Sequence, residues 1–263
     1  MRHAGAWGAI ATALFCVGGL RASGAEKAWD EVKSKHFRVL YAAREDVART
    51  VLERAEAYYT GIGEVFGFPR HKDFWLWDNR VRILLYGSRD AFREATKAPG
   101  WAAGRASAER REIAGWAGED GFVDEVLPHE LTHLMFRGYL GTAEAPRWLE
   151  EGVAQWVSPV RRAAAQVQGE RLASSGEWVP WKDLERWEIP EDGNTAMRYY
   201  AQAAGLTAFL LDRYGMERFA RFCRAMRDGR GPDDAFRFTY GGFVPSMEQV
   251  EREWVQSLRK GGT

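Results

Sequence analysis

Residues 129–133 are His129-Glu130-Leu131-Thr132-His133. On an α-helix, side chains four positions apart are rotated by about 40° and separated by about 6 Å, so both imidazoles can reach one ion from the same side. Glu130 is rotated by about 100° from His129, which places its carboxylate beside the open position of such an ion. The pattern predicts half of a zinc site with a general base next to it.

The helix that carries this motif also has an apolar side. On a helical wheel, the side opposite the two imidazoles holds Leu127, Leu131, Leu134 and Met135. A stripe of this kind faces a core, which leaves the imidazoles facing a cleft. Asp124 is the predicted N-cap, with Pro128 in the first turn, where a missing N–H is tolerated. Gly138 is predicted to end the helix.

The composition is that of a folded protein without a charge bias. Its 263 residues are 46% apolar and 13% aromatic, which is enough to bury a large core. Lys plus Arg and Asp plus Glu both number 37, and no basic stripe with interleaved aromatic residues is present to follow a phosphate backbone. We therefore expect no nucleic-acid partner.

The first 25 residues have the pattern of a signal peptide. Arg2 and His3 precede an apolar run from Ala4 to Leu20, and small residues follow up to Ala25. We expect export to the periplasm or the extracellular space, with cleavage near Ala25; the alternative is an uncleaved anchor. No later stretch is expected to cross a membrane. Cleavage would leave Cys223 as the one cysteine, so no internal disulfide is expected.

Hydrophobic periodicity and turn residues predict an α+β fold, in which a small N-terminal mixed sheet with helices is followed by a helical C-terminal half. The predicted elements are a strand at 36–41, a helix from about Arg44 to the glycines at 61, 63 and 67, a strand at 80–86, a short helix capped by Ser88 and ending by Pro99, a hairpin of 102–107 and 112–116, a helix with Pro146 in its first turn, and helices at about 196–214 and 246–258. The outer edge of the hairpin would either pair with an extended peptide or be covered by a loop.

A zinc site of this kind needs a third protein ligand. Two imidazoles and a water molecule leave a tetrahedral zinc ion one ligand short. No His follows position 133, and His36 and His71 are isolated upstream. The carboxylates downstream are Glu144, Glu150 and Glu151. From these residues alone the choice stays open.

Residues 148–154, Trp-Leu-Glu-Glu-Gly-Val-Ala, resemble a motif of the gluzincin metallopeptidases, the clan of thermolysin and aminopeptidase N. In that clan a Trp-Leu-x-Glu-Gly-x-Ala segment supplies the third zinc ligand. The resemblance implies Glu151, with Glu150 as the runner-up because a helical wheel cannot separate adjacent carboxylates. Seventeen residues lie between His133 and Glu151, one fewer than is usual in the aminopeptidases of the clan.

Within the clan, the chain is most similar to the compact bacterial peptidase MA-like domain. Further matching pieces are Trp-Ala-Ala-Gly at 101–104 and Tyr-Tyr-Ala-Gln at 199–202. The resemblance implies a zincin-like fold and a single catalytic domain over 26–263, divided into a sheet and active-site helix (26–138) and a helical half (139–263). It also implies Zn2+ as cofactor and a peptide or protein as substrate; it says nothing of the oligomeric state.

The resemblance further implies a division of roles among the site residues. His129, His133 and Glu151 would hold Zn2+, Glu130 would be the general base, and a Tyr hydroxyl would stabilise the oxyanion. Tyr200 aligns best with that Tyr, and Tyr199 is the alternative. The Gly-x-Met-Glu-Asn segment with which aminopeptidases bind a free amino terminus is missing, which favours a secreted endopeptidase. The alternatives are an aminopeptidase and an exported zinc-containing binding or scaffolding domain without turnover.

Overall fold

The computed structural model describes residues 29–42, 44–66, 75–98, 102–118, 121–186 and 193–261. The signal peptide predicted at 1–25 lies outside these ranges, as do His71, Pro99 and Trp101.

Within the described residues, a five-stranded mixed sheet lies in the N-terminal half, with strand order β1-β2-β3-β5-β4. The strands are β1 (Asp30–Lys33), β2 (Phe37–Tyr41), β3 (Val81–Tyr86), β4 (Arg105–Ser107) and β5 (Glu112–Trp116). The β2–β3 and β3–β5 pairs are parallel, whereas the β1–β2 and β4–β5 pairs at the two edges are antiparallel. The strands predicted at 36–41 and 80–86 and the predicted hairpin are therefore confirmed. β1 was not predicted, because its sequence Asp-Glu-Val-Lys has one apolar residue and no alternation to detect.

Helices make up most of the remaining described chain, and the α+β class is confirmed. They are α1 (Glu45–Phe66), α2 (Arg89–Thr96), α3 (Leu127–Leu140), α4 (Arg147–Val157), α5 (Pro159–Ser175), α6 (Trp181–Leu184), α7 (Gly193–Tyr214), α8 (Met216–Arg227), α9 (Pro232–Tyr240) and α10 (Met247–Gly261). A 3-10 turn spans Trp77–Asn79, and a π-helical turn spans Phe122–Val126. None of the described helices combines the length and the apolar character that a bilayer span requires.

Helix α1 continues past Gly61 and Gly63, the first two of the three glycines predicted to interrupt it, and ends at Phe66, before Gly67 in the sequence. Gly61 and Gly63 both lie inside the helix, at a cost of about 1 kcal/mol each relative to Ala. Val51 and Ile62 are almost fully buried on its inner face. Because a fully buried Val or Ile contributes about 1.5–3 kcal/mol, packing against the core outweighs the two glycines.

Pro128 lies in the first turn of the motif helix as predicted, but the predicted N-cap and the predicted last residue of this helix were wrong. Asp124 lies inside the π-helical turn that leads into α3, and its carboxylate accepts hydrogen bonds from Arg54 and, at 3.2 Å, from the Tyr58 hydroxyl. An ion pair with α1 therefore occupies the side chain predicted to cap α3. At the other end the helix continues beyond Gly138 to Leu140, because Leu140 extends the buried face.

Helix α3 lies between the two halves of the fold. It packs against α1 and β4 on the N-terminal side and against α4 on the C-terminal side. A continuous cluster of buried apolar side chains extends from β2 through α3 and α4 to α10. The motif helix is thus fixed by the core along its apolar side, and its opposite side is free to form a site.

Candidate metal centre

Helix α3 directs its two histidines to a common point. The Nε2 atoms of His129 and His133 lie 3.2 Å apart, and the ring planes are nearly perpendicular, at 85°. The four apolar residues on the opposite side of the wheel, Leu127, Leu131, Leu134 and Met135, are all buried, as predicted. The amphipathic pattern of α3 therefore determines where both imidazoles lie.

Glu151 on α4 completes a group of three potential ligands. Its Oε2 atom lies 3.5 Å from His133 Nε2 and 3.8 Å from His129 Nε2. Zinc bonds of about 2.0–2.2 Å at tetrahedral angles place neighbouring ligand atoms roughly 3.3 Å apart. The three distances are close to this spacing, so the side chains could hold one metal ion. Among the described residues, no other group of three or more His, Cys, Asp and Glu side chains has its potential ligand atoms close enough together to hold one metal ion.

Glu150 lies beside the cluster but is engaged elsewhere. Its Oε1 atom forms an ion pair with Arg137 Nη2 at 3.2 Å. The structure thus brings Glu151, and not Glu150, to the two imidazoles. Glu144, the third carboxylate considered from the sequence, is exposed in the loop between α3 and α4.

The electrostatics of the three side chains favour a positive charge between them. Burial lowers the pKa of the His129 imidazole well below its ordinary value. Burial would also lower the pKa of His133, but the Glu151 carboxylate raises it to about 9. Burial would raise the pKa of Glu151, yet the charge of His133 holds it below its ordinary value. The Glu151 carboxylate thus favours a positive charge next to the two imidazoles, and two imidazole nitrogens with one carboxylate form a donor set that fits a divalent metal.

Glu130 is adjacent to the ligand group and is not part of it. Burial raises the pKa of its carboxyl group, which suits a residue that must accept and release a proton near neutral pH. Strand β4 lies against it: the backbone N–H of Ala106 interacts with the carboxylate, and a Cβ placed on Gly104 would lie 3.6 Å from Glu130 Cγ. The Glu130 side chain is held between the motif helix and the edge of the sheet.

The two tyrosines of α7 differ in depth. Tyr199 is fully buried, whereas Tyr200 is half-buried, and their ring centroids are 5.8 Å apart. Burial raises the pKa of Tyr200, and the charges of Glu151 and Glu130 act in the same direction. The Tyr200 hydroxyl therefore stays protonated and can donate a hydrogen bond near the site.

Gly152 brings α4 and α7 into close contact next to Glu151. A Cβ at this position would lie 2.3 Å from Thr207 Oγ1 and 2.4 Å from the Ala203 carbonyl oxygen. The second neighbour is backbone, so the side chain could be accommodated only if the helices moved apart. This contact sets the relative position of the helices that carry Glu151 and Tyr200.

Gly152→Ala is expected to destabilise the protein by about 1–3 kcal/mol, a fall in Tm of roughly 3–10 °C, because it overpacks this contact. Differential scanning calorimetry would measure the change. Gly61→Ala is the matched control: Gly61 is also helical, but nothing lies within 4 Å of its added Cβ, so Tm should stay the same or rise. Equal Tm values for the two variants would contradict this account of the α4–α7 contact.

One charged residue near the site was missed from the sequence. Arg161 is in the first turn of α5, which Ser158 caps by accepting from the Arg161 backbone N–H at 3.5 Å. Its side-chain Nε donates to Glu125 Oε1 at 3.2 Å. The Ser-Pro pair at 158–159 predicts a helix start, but nothing local predicts that this guanidinium turns toward Glu125.

A protein-family model matches the chain. The model for the peptidase MA superfamily matches residues 77–259, more than two thirds of the chain, and this span includes α3, α4 and α7. No curated protein matches the chain.

Proposed function

The chain belongs to the peptidase MA superfamily, and from this premise we propose that it is a zinc-dependent peptidase that hydrolyses peptide bonds within a chain and not at its amino terminus. The observation that carries the proposal is the convergence of His129, His133 and Glu151 with Glu130 beside them and outside the ligand group. A structural zinc site is closed by four protein ligands, whereas a catalytic site has three and an open position. Three converging ligands with an adjacent base match the catalytic type.

The proposed mechanism assigns each step to a side chain. His129, His133 and Glu151 would hold Zn2+, which when bound lowers the pKa of a water molecule and polarises a carbonyl group. Glu130 accepts a proton from the water molecule as its oxygen attacks the peptide carbonyl carbon. Glu130 then transfers this proton to the amine that leaves when the C–N bond breaks. Tyr200 donates a hydrogen bond to the oxyanion that develops on the carbonyl oxygen.

The proposed substrate position is the edge of the sheet at β4. This strand pairs with β5 on one side and is terminal in the strand order of the described residues, so an extended peptide could add to the sheet along its other side. Ala106 on this strand contacts Glu130, so a peptide paired along β4 would run next to the base. Main-chain pairing of this kind tolerates many sequences and needs no free amino terminus, which supports endopeptidase action.

Incubation with internally quenched peptides blocked at both ends tests this function. We expect cleavage by the protein as purified, loss of cleavage with a zinc chelator, and recovery when zinc is restored. Cleavage of amino-acid anilides but not of blocked peptides would instead identify an aminopeptidase. Bound zinc with no cleavage of any peptide would identify a binding or scaffolding domain and would contradict the proposal. The pattern at 1–25 adds the proposal that the enzyme acts after export.

Tyr200→Phe is expected to lower kcat by about 10²-fold with little change in KM, because the hydroxyl bonds to charge that develops only in the transition state. Steady-state kinetics on one blocked peptide would measure both constants. Tyr199→Phe, which alters the fully buried neighbour, should leave kcat close to that of the unmodified protein. The reverse order of effects would assign the oxyanion role to Tyr199.

A further inference from the structure

Arg161 is held beside the start of the motif helix. Its partner Glu125 lies in the π-helical turn that leads into α3, four residues before His129, so the Nε–Oε1 contact of 3.2 Å places the guanidinium about one turn from the first imidazole, whose pKa its charge lowers. The arginine side chain is 21% exposed, and the α5 cap at Ser158 fixes its backbone. The side chain is thus fixed at its backbone by the α5 cap and at Nε by Glu125, and most of it is buried.

Only part of this guanidinium is used within the protein. Nε bonds to Glu125, and the two terminal nitrogens have no hydrogen-bond or ion-pair partner among the described residues. Together these two nitrogens form the planar fork that binds a carboxylate through two parallel hydrogen bonds. Neither nitrogen is among the fully buried atoms that have no partner, so the fork is accessible to a ligand that offers two acceptor oxygens.

The charge of Arg161 also has no evident role in building the metal centre. Its charge affects the pKa values of four groups at the site: His129, Glu130, Glu151 and Tyr200. A positive charge in this position repels a bound cation across a poorly solvated cleft. Glu125 balances it only in part, since that carboxylate is itself 39% exposed. An anionic group on the substrate would complete the balance.

Building on the proposed function, we propose that Arg161 is a specificity-determining residue that binds a carboxylate of the peptide substrate. An extended peptide advances about 3.3 Å per residue, and the guanidinium lies about one helical turn from His129. The carboxylate therefore belongs to a residue one or two positions from the bond that is cut. It is either the side chain of Asp or Glu or the carboxyl terminus of a short peptide.

Three peptides that differ only at one side chain and at the carboxyl terminus separate these sources. The first carries an acidic side chain and an amidated carboxyl terminus, the second is neutral with a free carboxyl terminus, and the third is neutral and amidated. Fluorescence anisotropy would measure their binding to the zinc-loaded Glu130→Gln protein, which should bind substrate without cutting it. At least one carboxylate peptide is expected to bind about 10- to 100-fold more tightly than the neutral amide.

Introducing Arg161→Gln into the Glu130→Gln protein should remove the preference for a carboxylate peptide and leave the affinity for the neutral amide nearly unchanged. Arg161→Lys in its place should keep part of that preference. Arg162→Gln is the matched control: Arg162 is the exposed neighbour, lies over the Trp156 ring at 5.3 Å, and should have no effect. Zinc content should be the same in all variants. Preference for the first peptide alone identifies an acidic side chain, and preference for the second alone identifies the carboxyl terminus.

Equal binding of all three peptides, absence of binding, or a preference that survives Arg161→Gln would each overturn the inference. Failure of the proposed function looks different. In that case the unmodified protein would cut none of the peptides, while the Arg161-dependent binding preference could still be measured.

Discussion

Glu130→Gln is expected to lower kcat/KM for peptide hydrolysis by about 10²–10⁴-fold, because the amide has the shape of the carboxylate and cannot accept the proton of the attacking water. Zinc content should not change, since Glu130 is not one of the three converging ligands. Ala106 can still donate to the amide oxygen, so the side chain should keep its position beside β4. Cleavage of a blocked, quenched peptide would measure the rate, and metal analysis of the same sample would measure zinc.

The control for this variant is Glu144→Gln. It makes the same chemical change at an exposed carboxylate between α3 and α4, and should leave both the rate and the zinc content as they were. If Glu130→Gln kept a rate within tenfold of the unmodified protein, Glu130 could not be the general base.

Glu151→Gln is expected to weaken zinc binding by at least about 10²-fold, because it replaces a charged ligand with a neutral amide between two imidazoles. Glu150→Gln makes the same change one residue away, where the carboxylate pairs with Arg137 at 3.2 Å, and should retain about one zinc per chain. Competition with a chromophoric chelator would measure both affinities. Weaker binding in the Glu150 variant alone would reverse the choice of third ligand.

The parts of the site that follow from helical periodicity could be predicted from the sequence. The spacing of His129 and His133 and the apolar stripe opposite them place both imidazoles, since both patterns depend only on the geometry of one helix. The third ligand required more, because Glu151 reaches the pair only when α4 packs beside α3. The resemblance of residues 148–154 to a known motif pointed to that carboxylate, and periodicity alone could not separate it from Glu150.

Features determined by packing between distant segments could not be predicted. Asp124 has the character of a helix cap, but an ion pair with α1 occupies it. Gly61 is a residue type that disfavours a helix, but α1 continues through it because the apolar face of this helix packs against the core. The guanidinium of Arg161 turns toward Glu125, 36 residues away in the chain, and no local pattern records that contact. Tyr199 and Tyr200 are adjacent in sequence and differ only in the depth at which α7 buries them.

We infer that α3 and α4 jointly hold a divalent cation beside Glu130. Anomalous diffraction from crystals of the zinc-loaded protein, recorded at the zinc absorption edge, tests it most directly. We predict one peak about 2.0–2.2 Å from His129 Nε2, His133 Nε2 and a carboxylate oxygen of Glu151. No peak at this position, or a zinc ion bound only elsewhere on the protein, would contradict the account.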